Sequence, residues 1–205
     1  MRPCSCPNHH DRIRFVVVTG GPGAGKTALL ELARRVSCRH IAVLPESASI
    51  VFGGGFPRLP DAAARRCSQR AIYQVQCELE KLARTRSDLC LVLCDRGTLD
   101  GLAYWPGEPE QYWHELGTTH EEQLARYDGV LHLGVPPAEH GYAETALRIE
   151  SASEAAAIDE RIAGAWSGHG RVEYIASDAN FVTKMDAATR ALRRLAPACC
   201  AVGQA

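Results

Sequence analysis

The chain has 205 residues, enough for one domain of ordinary size. With 46% hydrophobic and 23% charged residues it is neither disordered nor fibrous in composition. Lys and Arg number 23 against 24 Asp and Glu, a net charge of -1, which argues against a broad basic face for long nucleic acid and leaves small anionic ligands open.

No apolar run approaches the ~20 residues of a membrane helix, and the polar stretch Met1–Arg14 lacks a signal-peptide core. Nine cysteines, an odd number with several inside apolar runs, read as reduced thiols of a cytoplasmic protein. Residues 1–12 and 197–205 carry Pro, Gly and Cys without periodicity and read as tails, leaving one domain over 13–196. In the first tail, Cys4, Cys6, His9 and His10 are spaced more tightly than a usual zinc site.

The first strand is expected over Arg14–Thr19. The complete G-x-x-x-x-G-K-[ST] pattern Gly20–Thr27 follows it, and an amphipathic helix over Lys26–Val36 comes next. Such a loop wraps its main-chain amides around a phosphate chain at a helix N-terminus. The expected contacts come from Gly21, Gly23, Ala24, Gly25, Lys26, Thr27 and Ala28. Lys26 is placed to reach the β- and γ-phosphates, and Thr27 to offer its hydroxyl to Mg²⁺.

A second strand over Ile41–Leu44 leads to Glu46, with Ser47 opening a short helix. Glu46 reads equally as the carboxylate that receives the proton of an acceptor hydroxyl, or as a helix N-cap or a residue in the outer shell of Mg²⁺. Gly53, Gly54 and Gly55 form a loop before a long helix over Ala62–Thr85. The apolar run Leu89–Cys94 ends in Asp95, the strand-plus-carboxylate pattern that holds Mg²⁺ beside the loop threonine, and Arg96 follows at once. Asp100 and Tyr104, four residues apart on a segment of helical spacing, could face an acceptor together with Trp105, or simply pack. Trp113 and His114 read as packing residues.

A helix over Glu121–Arg126 and a strand over Val130–Leu133 come next. The connection over 134–150 is long and rich in Gly and Pro, as lids are, and it carries Arg148, which either closes on phosphate or pairs with Glu144 or Glu150 at the surface. A helix over Glu154–Trp166, a strand over Val172–Ala176 and a helix over Phe181–Leu195 complete the pattern. Asn180 reads as the cap of that last helix. Thr183-Lys184-Met185-Asp186 therefore falls within the helix, out of register for guanine recognition, while Asn180, Phe181 and Lys184 remain candidates to line a nucleotide base. Buried strands alternating with helices define an α/β chain with a five-stranded parallel sheet covered on both faces, a three-layer sandwich whose ligands bind at the carboxyl ends of the strands.

The phosphate loop GGPGAGKT, PESAS after the second strand, DRGTLDGLAYW (Asp95–Trp105), YDGVLHL (Tyr127–Leu133), the stretch Ala155–His169 and ANFVTK (Ala179–Lys184) together resemble AAA-type P-loop ATPase/kinase domains. Those domains are similar to the ribosylnicotinamide kinase domain of NadR and to nucleoside and thymidylate kinases. The resemblance implies a nucleoside-kinase-like layout: Glu46 as the acceptor-side base, Asp95 and Arg96 near magnesium and phosphates, and Arg148 in the lid. The implied activity is Mg-ATP-dependent phosphoryl transfer, GTP being the other donor, to a small hydroxyl-bearing acceptor such as a nucleoside or ribosyl compound. The alternative is a regulatory nucleotide switch that signals to a protein or lipid partner.

Overall fold

The computed structural model describes residues 12–135, 152–178 and 180–198. Five strands, β1 (Arg14–Thr19), β2 (Ile41–Leu44), β3 (Leu91–Asp95), β4 (Gly129–Leu133) and β5 (Val172–Ile175), form one sheet in the order β2-β3-β1-β4-β5. Every neighbouring pair is parallel. The helices are α1 (Lys26–Val36), α2 (Ser47–Gly53), α3 (Ala62–Arg84), α4 (Pro109–Leu116), α5 (His120–Leu124), α6 (Ala152–Ala165) and α7 (Phe181–Leu195), with a 3₁₀ turn over Asp100–Tyr104. No helix among the described residues is long and apolar enough to cross a membrane.

Strand β1 is apolar without alternation because both its faces are covered. Val16 and Val18 share one core with Leu29, Leu30 and Ala33 of α1 and Ala188, Leu192 and Leu195 of α7. Phe15 and Val17 belong to the opposite core with Ala83, Leu99, Ile162 and Trp166. Each fully buried side chain of this size contributes roughly 1.5–3 kcal/mol of transfer free energy. The sheet centre is thus anchored from two sides, which leaves the carboxyl ends of β1 and β3 rigidly adjacent, with Val18 opposite Asp95.

β3 begins at Leu91 rather than Leu89, because Cys90 and Leu91 both donate their amides to the His40 carbonyl at the entry to β2. The segment Asp100–Tyr104 winds as a 3₁₀ turn, α5 stands where a helix over Glu121–Arg126 is expected from the sequence, and α4 precedes it without a counterpart in that expectation. Trp113 packs edge-on against Tyr112 as expected, while His114 is exposed. Cys67, Cys77 and Cys94 are free thiols, whereas Cys90 is disulfide-bonded, a departure from the all-reduced expectation.

Candidate active site

The phosphate loop bends where its glycines demand it. Gly20, Gly23 and Gly25 have φ of 128°, 81° and 96°, values that L-residues rarely adopt. At Gly20 a side chain is excluded outright, since a Cβ would stand 2.1 Å from the Leu133 carbonyl oxygen. Helix α1 starts at Lys26 with no side-chain cap and no acidic residue in its first turn. Its leading N–H groups and positive dipole end therefore face outward, as an anion site requires.

Lys26 is buried, and its Nζ donates to the carbonyls of Gly20 and Gly21, both at 2.8 Å. Burial, helped by the Arg96 cation, lowers its pKa to about 7 against the pull of Asp95, Asp100 and Glu46. A polyanion entering the loop supplies the countercharge that this ammonium lacks.

Arg96 organises the other side. Its backbone is in the left-handed region, φ 70°, an unusual conformation for a long side chain. From there its Nε donates to Glu46 Oε1 at 2.7 Å, and its Nη1 reaches the Gly20 carbonyl at 3.3 Å and Asp100 Oδ2 at 3.4 Å. Burial opposes its charge, and Tyr104, Asp100 and Glu46 overcome that opposition, so the guanidinium is held protonated more firmly than usual. For Glu46, burial alone would raise the pKa, but Arg96 and the hydroxyl of Ser49 bring it below the usual carboxylate value. Glu46 sits at the N-cap position of α2 without capping it, so its carboxylate remains directed at Arg96.

Asp95 behaves oppositely: burial and the neighbouring Glu46 charge raise its pKa to about 6. Among the described residues neither the Asp95 carboxylate nor the Thr27 hydroxyl makes a side-chain hydrogen bond, so the carboxylate at the end of β3 and the hydroxyl in the first turn of α1 both remain available. A hydroxyl and one carboxylate, with phosphates completing the shell, are the hard oxygen donors that suit Mg²⁺, and the accumulated negative charge around Asp95 favours a cation. The residues fit that ion.

A cavity of about 600 Å³ opens beside the loop at Pro22 and runs between α2, α3 and the 3₁₀ turn. Glu46, Arg96, Asp100 and Tyr104 all line it, so four expected site residues, one from before α2 and three from the connection after β3, meet around one chamber. Asp100 is less free than the sequence suggests. Only 3% exposed, it accepts Thr19 Oγ1 at 2.7 Å on one oxygen and Trp166 Nε1 at 2.6 Å on the other, which makes it an anchor of the site.

The remaining candidates divide. Asn180 spends its side-chain oxygen on the amides of Val182 and Thr183, capping α7. Lys184 is buried and donates to the carbonyls of Ala24 and Gly134 at 2.8 and 2.5 Å, so it braces the phosphate loop from behind. Phe181 is 54% exposed, yet its ring edge lies 3.4 Å from where a Gly25 Cβ would be, a flat surface next to the loop. Arg148 and the Cys4–His10 cluster lie outside the described residues.

One residue that holds the phosphate loop is invisible to motif reading. Asp159 on α6 accepts the Gly21 amide at 2.6 Å and contacts His132 Nε2 at 2.9 Å. Burial would raise its pKa, and the hydrogen bonds from His132 and Gly21 hold it below the usual value instead. Nothing local in the sequence marks it.

A five-stranded parallel sheet of this order with a phosphate loop at the end of its central strand defines a P-loop kinase-like fold. A profile of the AAA domain family matches residues 15–183, and the chain belongs to that family. Among solved structures it is similar to the NadR protein in complex with NR, with a TM-score of 0.65 and 16% identity over 94% of this chain and 52% of that one. It is also similar to thymidylate kinase from Candida albicans, with a TM-score of 0.58 and 13% identity over 90% of this chain and 91% of that one. The chain thus spans about half of the NadR chain. Comparison with curated proteins returns no match.

Proposed function

We propose that this protein is a Mg²⁺-dependent phosphotransferase that moves the γ-phosphoryl group of ATP, or of GTP, to a hydroxyl of a nucleoside or related ribosyl compound. The observation that carries the reading is the cavity that begins at Pro22 of the phosphate loop and has Glu46 and Arg96 in its wall. A nucleotide switch needs the loop but has no use for an acceptor chamber of this size facing it. The likeness to thymidylate kinase and to a NadR complex supports the same class of acceptor.

In this scheme the loop amides and Lys26 hold the triphosphate, and the exposed face of Phe181 receives the base. When bound, Mg²⁺ held by Thr27 and Asp95 neutralises phosphate charge. The acceptor oxygen forms a bond to the γ-phosphorus while the bond to the β-phosphate bridging oxygen breaks, and the nucleoside diphosphate leaves. Glu46, kept ionised by Arg96, accepts the hydrogen bond of the attacking hydroxyl and the proton as it is released. Its lowered pKa suits orientation of the nucleophile rather than early proton removal, which is what a loose phosphoryl-transfer transition state asks of it. Arg96 lies where developing charge on the transferred group is stabilised.

The test is a nucleotide-consumption screen with ATP and GTP against nucleosides, ribosyl compounds and sugars, followed by Glu46→Gln. The substitution is expected to cut acceptor-dependent turnover ~10²-fold or more while leaving nucleotide binding in place. Acceptor-independent hydrolysis that is the only activity found, and is unchanged in Glu46→Gln, would replace this reading with that of a regulatory switch.

A further inference from the structure

The acceptor cavity has a wall that the scheme above does not use. Helix α3 presents Gln69, Tyr73 and Gln76 at positions i, i+4 and i+7, one continuous face toward the chamber. Gln76 has a protein partner at each end of its amide: its Oε1 accepts Ser47 Oγ at 2.7 Å and its Nε2 donates to Glu80 at 2.9 Å. Tyr112 donates its hydroxyl to the Thr98 carbonyl, and Ser68 to that of Arg65. Gln69 differs from all of these. It is 92% buried, being 8% exposed, yet among the described residues its carboxamide makes no hydrogen bond.

The residue is buried but its amide opens on the chamber, so its hydrogen-bonding partner is whatever fills that chamber. The space is kept open by Gly101, where a Cβ would fall 3.1 Å from Gln69 Oε1 and 2.3 Å from Tyr112 Oη. Phe52, Tyr73 and Tyr104 supply flat walls around the same volume. A carboxamide offers an acceptor and a donor side by side, and its complement is a group with a donor and an acceptor side by side. Flat walls and that edge together describe a planar ring carrying an amide or amino-imine edge.

We propose that Gln69 is the recognition residue for the ring of the acceptor, and that the acceptor is a ribosyl compound whose planar ring carries an adjacent donor–acceptor edge. The assignment rests on the phosphotransferase reading of the cavity. It narrows the acceptor class: free sugars, and ribosides of rings without such an edge, leave the Gln69 amide unpaired and are disfavoured.

The experiment measures binding, so that it does not depend on turnover. The full chain is titrated calorimetrically with uridine, cytidine, adenosine and guanosine, and with the riboside of benzene as a ring lacking the edge. In the wild type at least one nucleoside is expected to bind ten-fold or more tighter than the benzene riboside. In Gln69→Leu that preference should fall to less than three-fold through loss of nucleoside affinity. Gln69→Glu, which keeps the shape and replaces the donor with an acceptor, should change the rank order of the nucleosides and serves if the leucine variant does not fold. Equal affinity for the benzene riboside and every nucleoside, no nucleoside binding, or a preference unchanged by both substitutions overturns the assignment. Gln69-dependent binding without any transfer from Mg-ATP would instead overturn the phosphotransferase reading and leave this one standing.

Discussion

The indole N–H of Trp166 donates to Oδ1 of Asp100 at 2.6 Å, tying the residue that follows α6 to the turn that follows β3. The same contact places the Trp166 ring against Gly97, where a Cβ would fall 2.7 Å from it. Because Asp100 Oδ2 accepts Thr19 and Arg96, one carboxylate joins the end of β1, the Arg96 loop and α6. Asp100→Asn keeps the volume but turns an NH₂ toward a donor and removes the charge opposite Arg96. Breaking a buried charged network in this way is expected to cost about 3 kcal/mol in urea unfolding. A loss under about 1 kcal/mol would show that Asp100 is not the anchor.

Arg96 allows backbone strain to be separated from chemistry. Both Arg96→Ala and Arg96→Gly lose the ion pair to Glu46, but only glycine adopts φ 70° without penalty. The glycine variant should be more stable than the alanine variant by about 1 kcal/mol, while both lose phosphoryl transfer. Chemical denaturation of the two proteins side by side decides it.

Lys26→Met removes a buried ammonium whose charge is already disfavoured by its surroundings. The melting temperature should therefore hold or rise, while affinity for Mg-ATP falls at least ten-fold. A variant that melts early, or that binds nucleotide as well as the wild type in calorimetry, contradicts the placement of Lys26 on the phosphates.

The Asp159 carboxylate gives a pH signature. Its folded pKa lies below its unfolded value of about 3.9, so the folded state binds fewer protons and gains stability as pH rises. That contribution is complete above the unfolded pKa and disappears as pH falls through the folded one. The difference in melting temperature between the wild type and Asp159→Asn should be constant at neutral pH and shrink below about pH 4. A difference that persists at pH 2 would mean that shape, not charge, is what Asp159 contributes.

Gly20→Ala tests the contact between the phosphate loop and β4. The new methyl has nowhere to go, with the Leu133 carbonyl oxygen 2.1 Å away and φ at 128°. Destabilisation above about 4 kcal/mol, seen as an insoluble or molten product, is expected. A soluble variant with native melting behaviour would show that the loop can shift away from the strand.

Much of this architecture is legible in the residues themselves. Arg14–Thr19, Lys26–Val36, Ile41–Leu44 and Phe181–Leu195 begin and end where apolar runs, glycines and the Asn180 cap place them. The phosphate-loop sequence lies in its expected strand–loop–helix setting because that motif is local: its glycines, its lysine and the helix start are consecutive. Helix α4 escapes the pattern because it is short, with only Tyr112 buried, so no apolar stripe marks it.

Other features depend on distance in the chain. The sheet order, which sets β3 next to β1 and Asp95 opposite Val18, comes from crossover connections whose path no local pattern records. The bond from Gly21 to Asp159 spans 138 residues and that from Trp166 to Asp100 spans 66. The sequence makes Lys184 a candidate for a base and Asp100 for an acceptor, but packing surrounds both with partners, while it leaves the Gln69 amide facing the chamber without a protein partner. Periodicity and turn chemistry act between near neighbours and so are written in the order of the residues; whether a buried polar group is satisfied is settled only by what folding brings to its side.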